Sequence, residues 1–519
     1  MRIRVAGKND SLSTIADYYK VPLQTIVSLN KHINDSTRNI CGTVVNIPEQ
    51  PATPKTITFC PPAYPDERLD HWVPLTPLSQ MEENDYDVLI IGTGAGGCAT
   101  LWRLCEQLGK SANRIGVIER GNLLLPTHSL NVPTLRSWSQ MLEYYLSSKV
   151  SNPIGESMPE YPGARLVYAL GGRTLFWGLT SPRIPPFEFA NWPITYEELE
   201  PYYNLAEQMM NVSGNNTALN KVLLRRLWES GFPESTLLPD AIGQGTYDYN
   251  FSAIDFIAEA LRLGSFELAV NARAVQIMTE QGKVTGVQVK SPNKQSYMIK
   301  AKAVVVAGST FETPRLLLNS AIPGKAIGHY LINHSYLQTA GTLEPQSIVE
   351  GNISLLIPQT ENRPYQYKIT GYGTEVGYDI YGKVQARFDN FVYLDPHRKD
   401  EYGVPEIQVN FSYNKTDLAV VHLMQESVRK VAAGMKASVP ADNCMRPPGY
   451  DNHDAGTCRM GDDPETSVTN RYGHVHSTSG LYIADNSILP NIGAVNPLLS
   501  NVAAAIRTAD HIVCQTFNR

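Results

Sequence analysis

The sequence predicts an α/β fold: a Rossmann-like dinucleotide-binding domain, an α+β substrate domain with an antiparallel sheet, and a small N-terminal βααβ module. Two patterns indicate the Rossmann-like part. The stretch YDVLIIGTGAGG at residues 86–97 predicts a buried strand followed by glycines in G-x-G-x-x-G spacing, and RIGVIE at 114–119 predicts a second buried strand that ends in an acid. Separate strand and helix patterns within residues 2–48 indicate the module.

Each glycine of the motif has its own task. Gly92 permits the tight turn after the strand, Gly94 permits backbone N–H groups to approach a pyrophosphate, and Gly97 permits the next helix to pack on the strand. Ala95 and Gly96 lie in the first turn of that helix, whose N-terminus favours phosphate. Because strand, glycines, helix, strand and acid follow one another in order, we predict a dinucleotide site here rather than a merely structural turn.

The acid that ends the second strand indicates which dinucleotide binds. Glu119 lies 22 positions after Gly97. A carboxylate at that place can accept hydrogen bonds from both ribose hydroxyls of an adenosine and would repel a 2′-phosphate. The sequence therefore favours FAD or NAD over NADP, with Glu119 and the adjacent Arg120 as cofactor contacts.

Bulk properties exclude several classes. With 519 residues and a net charge of −6, the chain has room for several domains and no general attraction to nucleic acid or anionic membranes. No apolar run approaches the ~20 residues of a membrane span, and no signal-peptide pattern is recognisable, so the default expectation is a cytoplasmic location, with cell-envelope association as the alternative. The seven cysteines lack metal-site spacing, so no metal is expected, and Cys41 and Cys60 would pair only in an oxidising compartment.

Residues 1–50 have the pattern of an independent module. The pattern is a strand, a helix that Asp10 or Ser11 can cap, a second short helix from Leu23 to Asn30, and a closing strand near Val45. The DSLSTIA core, the VPL start of the second helix and the final NIP resemble the LysM domain. The resemblance implies a glycan containing N-acetylglucosamine as a partner. The alternative is a module that serves packing or assembly and binds no sugar.

Residues 51–84 are rich in proline and predict a linker. Its apolar side chains, among them Trp72 and Val73, predict that this linker lies along the surface of the following domain. A mobile tether is the less favoured alternative.

From residue 85 to residue 519 the chain resembles the glucose-methanol-choline (GMC) oxidoreductases, most closely their pyranose-oxidase-like branch. Besides the glycine motif, the resemblance is carried by LGGRTLFWGLTSP at 170–182, NHDAGTCRMG at 452–461 and GLYIADNSILPNIGAVNPLLSN at 480–501. It implies an FAD-binding domain assembled from about 85–190, 260–325 and 452–519, and a substrate domain assembled from about 191–259 and 326–451.

The resemblance implies FAD as the cofactor. In family members a histidine of the segment at 170–182 can carry a covalent bond to the flavin, and the matching residue here is Phe176, so non-covalent FAD is expected. The helix after Asn496 is expected to direct its N-terminal N–H groups at the pyrimidine end of the flavin. The residues assigned to the cofactor in this way are Gly172, Arg173, Thr174, Phe176, Trp177, Gly178, Ala274, Ala307, Asp485, Asn496, Pro497 and Leu498.

The paired C-terminal motifs also imply the catalytic residues. By the resemblance, His453 takes the position of the active-site histidine and Asn496 that of its partner. Removal of a hydride from a C–H bond requires that the substrate hydroxyl lose its proton, and a histidine titrates near neutral pH. An amide beside it can hold the hydroxyl without competing for the proton.

The substrate domain gives weaker indications. The predicted sheet carries several tyrosines that either line a sugar pocket or stand half-exposed on strands. DEYGVP at 400–405 resembles a turn that lies near the substrate in the pyranose-oxidase-like branch. The tyrosines in question are Tyr365, Tyr367, Tyr372, Tyr378, Tyr381 and Tyr393.

We therefore expect an FAD-dependent oxidoreductase that oxidises an alcohol CH–OH group, of a sugar, glycoside or related metabolite, to a carbonyl by hydride transfer to flavin N5. His453 is the expected base, and dioxygen or another acceptor reoxidises the flavin. Two alternatives stay open: a glycan-binding protein with an inactive flavin fold, and a GMC-type lyase without net redox change. The sequence leaves open the substrate, the electron acceptor and the oligomeric state.

Overall fold

The computed structural model describes residues 2–48, 72–110, 114–135, 137–154, 160–243, 249–344, 351–440 and 443–517. The N-terminal module has the predicted βααβ order. Ser11, one of the two predicted caps, is the N-cap of the first helix and accepts a hydrogen bond from the backbone N–H of Thr14. The two strands pair antiparallel. The elements are β1 (Arg2–Val5), α1 (Leu12–Tyr19), α2 (Leu23–Leu29) and β2 (Val44–Ile47).

The module packs against the rest of the chain through β1. Ile3 is buried in the core of the larger domain, and its carbonyl oxygen accepts a hydrogen bond from Arg103, 2.8 Å away. The thiol of Cys41 lies beside that of Cys514, and burial and this neighbour raise the pKa of Cys514. Cys60, the partner considered for Cys41 above, lies outside the described residues.

The end of the predicted linker differs from the expectation. Residues 51–71 lie outside the described residues, whereas 72–84 contain a short helix, α3 (Leu78–Glu82), rather than an extended surface chain. Val73 and Met81 are buried in the main core, and the N–H of Thr76 donates to Leu268 O. These apolar side chains gain more from burial than from lying along the surface. Residues 72–84 therefore pack on the larger domain, and the assignment of 51–84 as a linker stays a prediction.

The first half of the larger domain alternates strands and helices around the predicted glycine motif. The predicted strand at 86–91 and the helix after it both form, because the strand residues Val88, Leu89 and Ile90 are fully buried on both faces of a sheet. The elements are β3 (Asp85–Ile91), α4 (Ala95–Leu108), β4 (Ile115–Ile118), α5 (Trp138–Leu146), β5 (Ser151–Pro153), β6 (Arg165–Val167), α6 (Tyr196–Met209), β7 (Val212–Gly214), α7 (Ala218–Glu229), β8 (Thr236–Leu237), β9 (Pro239–Gly243), β10 (Tyr249–Asn250) and α8 (Ile254–Leu263).

The second half contains the predicted hairpin, the antiparallel strands and a long final helix. The hairpin turns at Gln281 and Gly282, both with positive φ. The elements are β11 (Glu267–Ala269), β12 (Arg273–Glu280), β13 (Lys283–Lys290), β14 (Ser296–Val306), α9 (Ser309–Asn319), β15 (Ser335–Leu343), β16 (Asn352–Ile357), β17 (Tyr365–Tyr372), β18 (Glu375–Gly382), β19 (Phe391–Lys399), β20 (Pro405–Asn410), α10 (Lys415–Met435), β21 (Ala437–Ser438), β22 (Cys444–Met445), β23 (Leu481–Ile483) and α11 (Leu498–Phe517).

Two large sheets organise these elements and confirm the predicted fold class. The first sheet has the order β11-β4-β3-β14-β13-β12, with β23 also paired to β14, and its strands β11, β4, β3, β14 and β23 are parallel. The second sheet has the order β21-β15-β18-β17-β16-β8, with β22 beside β15, and is antiparallel throughout. Helices α4, α8 and α11 pack together against the first sheet, and α7 and α10 cover the second.

Residues 191–259 divide between the two cores rather than belonging to the substrate domain as a whole. Helix α6 packs against α11, and its residue Tyr203 donates to or accepts from Ser500 at 2.7 Å. Helix α7, by contrast, places Leu223 in the core beneath the second sheet. The difference arises because the apolar face of α6 meets the final helix, a contact that local sequence does not reveal. None of the helices in the described part of the chain combines the length and apolarity needed to cross a membrane.

Candidate active site

A large cavity lies at the carboxyl ends of the parallel strands of the first sheet. The register pairs Val306 of β14 with Ile91 of β3 and with Ile483 of β23, so the three strands end together. The residues that follow them, Gly92, Ala307 and Asp485, all line the cavity. This edge is where open α/β sheets bind their ligands, because the loops there are free to turn away from the sheet.

The glycine motif forms a cradle for a ligand. Gly94 lines the cavity, its φ is −68°, and a Cβ added to it would have no protein atom within 4 Å. A Cβ on Gly92, whose φ is +97°, would lie 2.4 Å from Ala307 O, and one on Gly96 would lie 1.6 Å from Ala484 O. The N-terminus of α4 has no side-chain cap, so its first N–H groups are available to a phosphate in the space beside Gly94.

The structure brings together all the predicted site residues except Gly97. A Cβ on Gly97 would lie 2.0 Å from Gly92 O, so this glycine serves the packing of helix on strand and not the cavity. Whether the lining residues contact a cofactor stays a prediction. Those that line the cavity are Gly92, Gly94, Ala95, Gly96, Glu119, Arg120, Gly172, Arg173, Thr174, Phe176, Trp177, Gly178, Ala274, Ala307, His453, Asp485, Asn496, Pro497 and Leu498.

Glu119 is held in the cavity by the chain itself. Its Oε2 accepts from the N–H and the hydroxyl of Thr93, at 2.9 and 2.7 Å, and its Oε1 accepts from the N–H of Gly121 at 2.7 Å. Burial raises the pKa of Glu119 although these three hydrogen bonds oppose the shift. Oε1 has a further lone pair, so the fixed carboxylate can still accept from a ribose hydroxyl.

A buried charge cluster that the sequence did not reveal lies beside Arg120. Glu312 accepts hydrogen bonds from Arg120 at 2.9 Å, Arg273 at 2.6 Å and Arg315 at 3.1 Å. The three guanidinium groups hold the pKa of Glu312 well below its ordinary value despite burial. The Arg120 guanidinium also stacks 3.6 Å from the ring centre of Tyr168. In the sequence, the i,i+3 spacing of Glu312 and Arg315 on a predicted helix could have indicated this ion pair.

The turn at 400–405 belongs to this cluster and not to the substrate side. Asp400 pairs with Arg315 at 2.8 Å, and the carbonyl of Pro405 accepts from the same guanidinium. Among the described residues, none from 400 to 405 lines the cavity. The expectation that this turn lies near the substrate is therefore wrong, because its charge and its carbonyl groups serve Arg315 instead.

The segment at 170–182 forms one side of the cavity. It begins with a short 3-10 helix, Gly172–Leu175, after which Phe176 packs against the ring of Tyr145, with centroids 5.7 Å apart. Trp177 is fixed at two points: its Nε1 donates to Phe251 O at 2.8 Å, and its carbonyl lies 3.1 Å from Nε2 of His128. The Trp177 backbone is therefore held in one position at the edge of the cavity.

The two predicted catalytic residues meet at the other side of the cavity. Nδ2 of Asn496 lies 2.9 Å from Nε2 of His453, and Oδ1 of Asn496 accepts from Gln366 at 2.8 Å. Because Gln366 donates to the amide oxygen, the amide nitrogen faces the histidine, which then carries a lone pair on Nε2. Burial lowers the pKa of His453, and the nearby Asp451 carboxylate only partly opposes this shift. The imidazole is therefore neutral at neutral pH.

The opposite nitrogen of His453 faces a buried carboxylate and a second histidine. Nδ1 of His453 lies 3.2 Å from Oδ2 of Asp451, and Nδ1 of His334 lies 3.3 Å from the same oxygen. The two Nδ1 atoms are 3.1 Å apart. No metal was expected, yet these three groups are the set in the described part of the chain whose spacing would suit an ion. Of the three contacts, the one between the two Nδ1 atoms meets hydrogen-bond geometry, and Oδ2 of Asp451 has no aligned donor within the described residues.

Arg173 ties the segment at 170–182 to the turn that carries His453. Its Nη1 donates to Oδ1 of Asn452 at 3.0 Å and lies 3.3 Å from Oδ2 of Asp454. Asn452 has φ of +59°, a left-handed conformation that asparagine tolerates better than most residues. Tyr145 donates to the same amide oxygen at 3.1 Å. These contacts fix the backbone immediately before the predicted base.

Lys368 and Tyr381 of the second sheet complete this end of the cavity, and sequence analysis singled out only the tyrosine. Lys368 is two residues after Gln366 on β17 and so shares its face, and its Nζ lies 3.5 Å from the carbonyl of Gly178. Of the six tyrosines considered, only Tyr381 lines the cavity; Tyr367 and Tyr378 are buried in the core beneath the sheet. Asp240 is nearby, and burial raises its pKa to about 6 despite the Lys368 charge.

The structure is that of an α/β protein with a cavity at the carboxyl ends of its parallel strands. Family models of the GMC oxidoreductases match residues 86–336 and 386–505, and the LysM domain model matches residues 6–48. The chain therefore belongs to the GMC oxidoreductase family and carries an N-terminal LysM domain, as the sequence predicted. Members of this family bind FAD, and the open space at Gly94 with the free helix N-terminus fits the pyrophosphate of that cofactor.

Characterised relatives act on several kinds of alcohol. The chain is 25% identical over 541 residues to 2-methyl-1,2-propanediol dehydrogenase of Mycolicibacterium austroafricanum, covering 82% of this chain and 95% of that protein. It is 21% identical to pyranose 2-oxidase of Tricholoma matsutake, covering 70% and 75%. Pyridoxine 4-oxidase from Mesorbium loti has a similar fold, with a TM-score of 0.64, 15% identity and coverage of 82% of this chain and 99% of that one.

Proposed function

We propose that this protein oxidises a CH–OH group of a sugar, glycoside or related polyhydroxylated metabolite to a carbonyl, with His453 as the base. The observation that carries the proposal is the Asn496–His453 hydrogen bond in the wall of the cavity. FAD, when bound, supplies the hydride acceptor at flavin N5.

The chemistry assigned to the two residues follows from their protonation. Nε2 of His453 has a lone pair and faces the Asn496 amide, and the lowered pKa of His453 keeps it unprotonated at neutral pH. A substrate hydroxyl that contacts both groups in place of their mutual hydrogen bond can give its proton to His453 while its oxygen accepts from Asn496. The same contact orients the C–H bond, since the oxygen is held at one point.

Two observations support a polyhydroxylated substrate. The two relatives named above act, by their names, on a diol and on a pyranose, each with more than one hydroxyl group. In addition, Lys368, Thr180 and Tyr381 line the same cavity as the predicted catalytic pair. These groups are suited to binding hydroxyls other than the one that is oxidised.

We propose that FAD is bound without a covalent bond. Phe176 occupies the place where a histidine would be required, and it packs against tyrosine rings rather than offering a nucleophile. The cavity lining within the described residues includes no cysteine and no histidine besides His453. Precipitation with acid should release the flavin into the supernatant; flavin retained in the pellet would contradict this assignment.

We also infer that the LysM domain gives the enzyme affinity for glycans containing N-acetylglucosamine. The support is the match of residues 6–48 to a domain of that type and the predicted sugar-binding role of such domains. Sedimentation of the intact protein with chitin or peptidoglycan, with and without soluble N-acetylglucosamine oligomers, tests the inference. Absence of co-sedimentation would leave the domain with a packing role only.

Anaerobic stopped-flow spectroscopy tests the catalytic proposal. Pyranoses, C- and O-glycosides, 1,2-diols and simple alcohols are mixed with the flavin-loaded enzyme, and bleaching of the flavin identifies donors. His453→Ala should slow bleaching by ~10²–10⁴-fold, the range for loss of a positioned base. His422→Ala, an exposed histidine on α10, is the matched control. Admission of air then separates an oxidase, which forms peroxide, from an enzyme that needs another acceptor.

A further inference from the structure

Two fully buried side chains meet behind the predicted base and are not explained by cofactor or substrate binding. The side chains of Asp451 and His334 have no exposed surface, whereas 14% of the His453 side chain is exposed, toward the cavity. His334 reaches this place because Ile332 and Ala455 form a bridge, donating to each other's carbonyls at 2.9 and 3.0 Å. The segment before β15 is thereby joined to the turn that carries His453.

We propose that Asp451 and His334 are positioning residues for His453: the Asp451 carboxylate holds the proton on Nδ1 of His453, so that Nε2 faces the substrate as the base, and His334 holds the carboxylate in place. The proposal rests on the proposed function, in which His453 takes the hydroxyl proton. It adds two residues that do not themselves touch the substrate.

The arrangement of hydrogen-bond donors determines which nitrogen of His453 carries the proton. A neutral imidazole carries one N–H, and Nε2 of His453 accepts from Asn496, so the hydrogen is on Nδ1. The nearest charged acceptor for it is Oδ2 of Asp451, at 3.2 Å. The other oxygen, Oδ1, is already engaged by Nδ2 of Asn333 at 2.6 Å. The carboxylate is therefore oriented with one oxygen directed at the histidine.

The same reasoning fixes the tautomer of His334. Its Nε2 is buried and has no hydrogen-bond partner within the described residues. A buried N–H without an acceptor is the least tolerated case, whereas a lone pair without a donor costs less. The hydrogen of His334 is therefore on Nδ1, which lies 3.3 Å from Oδ2 of Asp451, a buried oxygen with no aligned hydrogen-bond donor within the described residues. The two Nδ1 atoms lie 3.1 Å apart, and each is within 3.3 Å of the same buried carboxylate oxygen.

The charges around the cluster favour proton transfer to His453. Asp451 has no lysine or arginine within salt-bridge distance in the described part of the chain, and the nearby Asp454 is occupied by Arg173. Tyr381 and Tyr161 approach from β18 and from the segment before β6, and neither carries a charge at neutral pH. When His453 accepts the hydroxyl proton at Nε2, the buried carboxylate gains an imidazolium partner 3.2 Å away. The O–H bond breaks, the N–H bond forms and the pair becomes neutral.

Asp451→Asn tests the proposal, because the amide has the shape of the carboxylate without its charge. Anaerobic flavin reduction by a donor sugar should slow by ~10²–10⁴-fold, the order of loss for a catalytic histidine deprived of its carboxylate. The fall of the reduction rate at acidic pH should also move to lower pH, because the imidazolium of His453 loses its carboxylate partner and gives up its proton more readily. His334→Gln should slow reduction by ~10–100-fold, as for other groups that orient a reacting side chain.

Four readouts separate positioning from a merely structural role. The flavin spectrum and the midpoint of thermal unfolding should change little in Asp451→Asn. Long-range ¹⁵N NMR of the histidine-labelled holoenzyme should show Nδ1–H at His453 in the wild type and a mixture of tautomers in the variant. The double variant Asp451→Asn/His453→Ala should be no slower than His453→Ala alone, since residues that act as one unit are not additive.

The proposal is overturned if Asp451→Asn reduces its flavin at the wild-type rate, or if the two substitutions are additive. Stoichiometric zinc in the purified holoenzyme would also overturn it, because the triangle would then be a metal site. If no alcohol bleaches the wild-type flavin, the proposed function fails, while the NMR tautomer still decides whether Asp451 orients His453. The two failures are therefore distinguishable.

Discussion

The Nδ2 atom of Asn496 lies 2.9 Å from Nε2 of His453, and the amide is held in that orientation by Gln366. The three residues come from the segment before α11, from the turn after residue 450 and from β17. The predicted hydroxyl-binding pair is therefore assembled where the first sheet, the second sheet and the final helix meet.

Replacement of Asn496 by alanine should slow anaerobic flavin reduction by ~10–100-fold, because the substrate oxygen loses one oriented donor. Asn496→His should retain more activity, since its imidazole can also donate and since other GMC enzymes carry histidine at this place. Stopped-flow bleaching with a donor sugar measures both rates. If Asn496→Ala reduces its flavin at the wild-type rate, the amide has no part in the mechanism.

Gly94→Ala should weaken FAD binding at least ~10-fold while the protein remains folded. The backbone of Gly94 has φ of −68°, and an added Cβ meets no protein atom within 4 Å, so only a bound pyrophosphate would collide with it. Equilibrium dialysis of the deflavinated protein with FAD measures the affinity. Gly351→Ala, in an equally uncrowded position with its nearest atom 4.0 Å away, is the control. Equal FAD affinity of the two variants would mean that the phosphates do not bind beside Gly94.

Lys368→Met should raise the KM for a polyhydroxylated donor by ~10–100-fold, because a charged donor to substrate hydroxyls contributes about 1.5–3 kcal/mol. A simple alcohol with one hydroxyl should be affected much less, because it has no second hydroxyl to bind. Steady-state kinetics with both classes of donor measures the contrast, and Lys221→Met, exposed on α7, is the control. An equal effect on both donors would place Lys368 outside substrate recognition.

The wild type should lose stability as the pH falls below 6.5, in part through His128. Burial lowers the pKa of His128 to about 4, while Nε2 donates to Trp177 O and Nδ1 accepts from the N–H of Leu130. Between pH 6.5 and 4 the unfolded chain takes up a proton that the folded protein refuses, so the folded state loses on the order of 3 kcal/mol. Above pH 6.5 this contribution is fully present.

Denaturant unfolding of the wild type and of His128→Gln at pH 7 and pH 5 measures this effect. The stability difference between the two proteins should shrink at pH 5. Burial also lowers the pKa of His511 to about 4, and the same shift is present in both proteins, so it cancels in the comparison. A difference that stays constant with pH would mean that the pKa of His128 is the same in the folded and unfolded chains.

Local patterns were sufficient for the fold and for most of the candidate site. The glycine motif, the acid at 119 and the paired motifs around His453 and Asn496 are each contiguous, and the cavity gathers them as expected. The α/β class followed because buried strands and glycine turns alternate at short range. The cofactor-binding roles of the individual residues remain predictions.

The site residues that the sequence did not identify reach the cavity through contacts between segments that are far apart in the chain. His334 is 119 positions before His453, and its approach depends on the bridge between Ile332 and Ala455. Lys368 is one of many polar residues on alternating strands, and only the sheet register directs it to the cavity. The helix at Leu78–Glu82 was hidden by the prolines before it, which by themselves are typical of a linker.

The cavity has a consequence for how the enzyme acquires its flavin in the cell. Helix α11 supplies Leu498 and Asn501 to the lining and is locked to α4 by Asp510, whose carboxylate binds Arg103 across 407 positions of sequence. The glycine motif leaves the ribosome long before these partners are synthesised. Until residue 510 has emerged, the contact between Asp510 and Arg103 cannot form, so the wall of the cavity that α11 supplies is not yet fixed, and a cofactor bound there would mark chains whose C-terminal helix has docked.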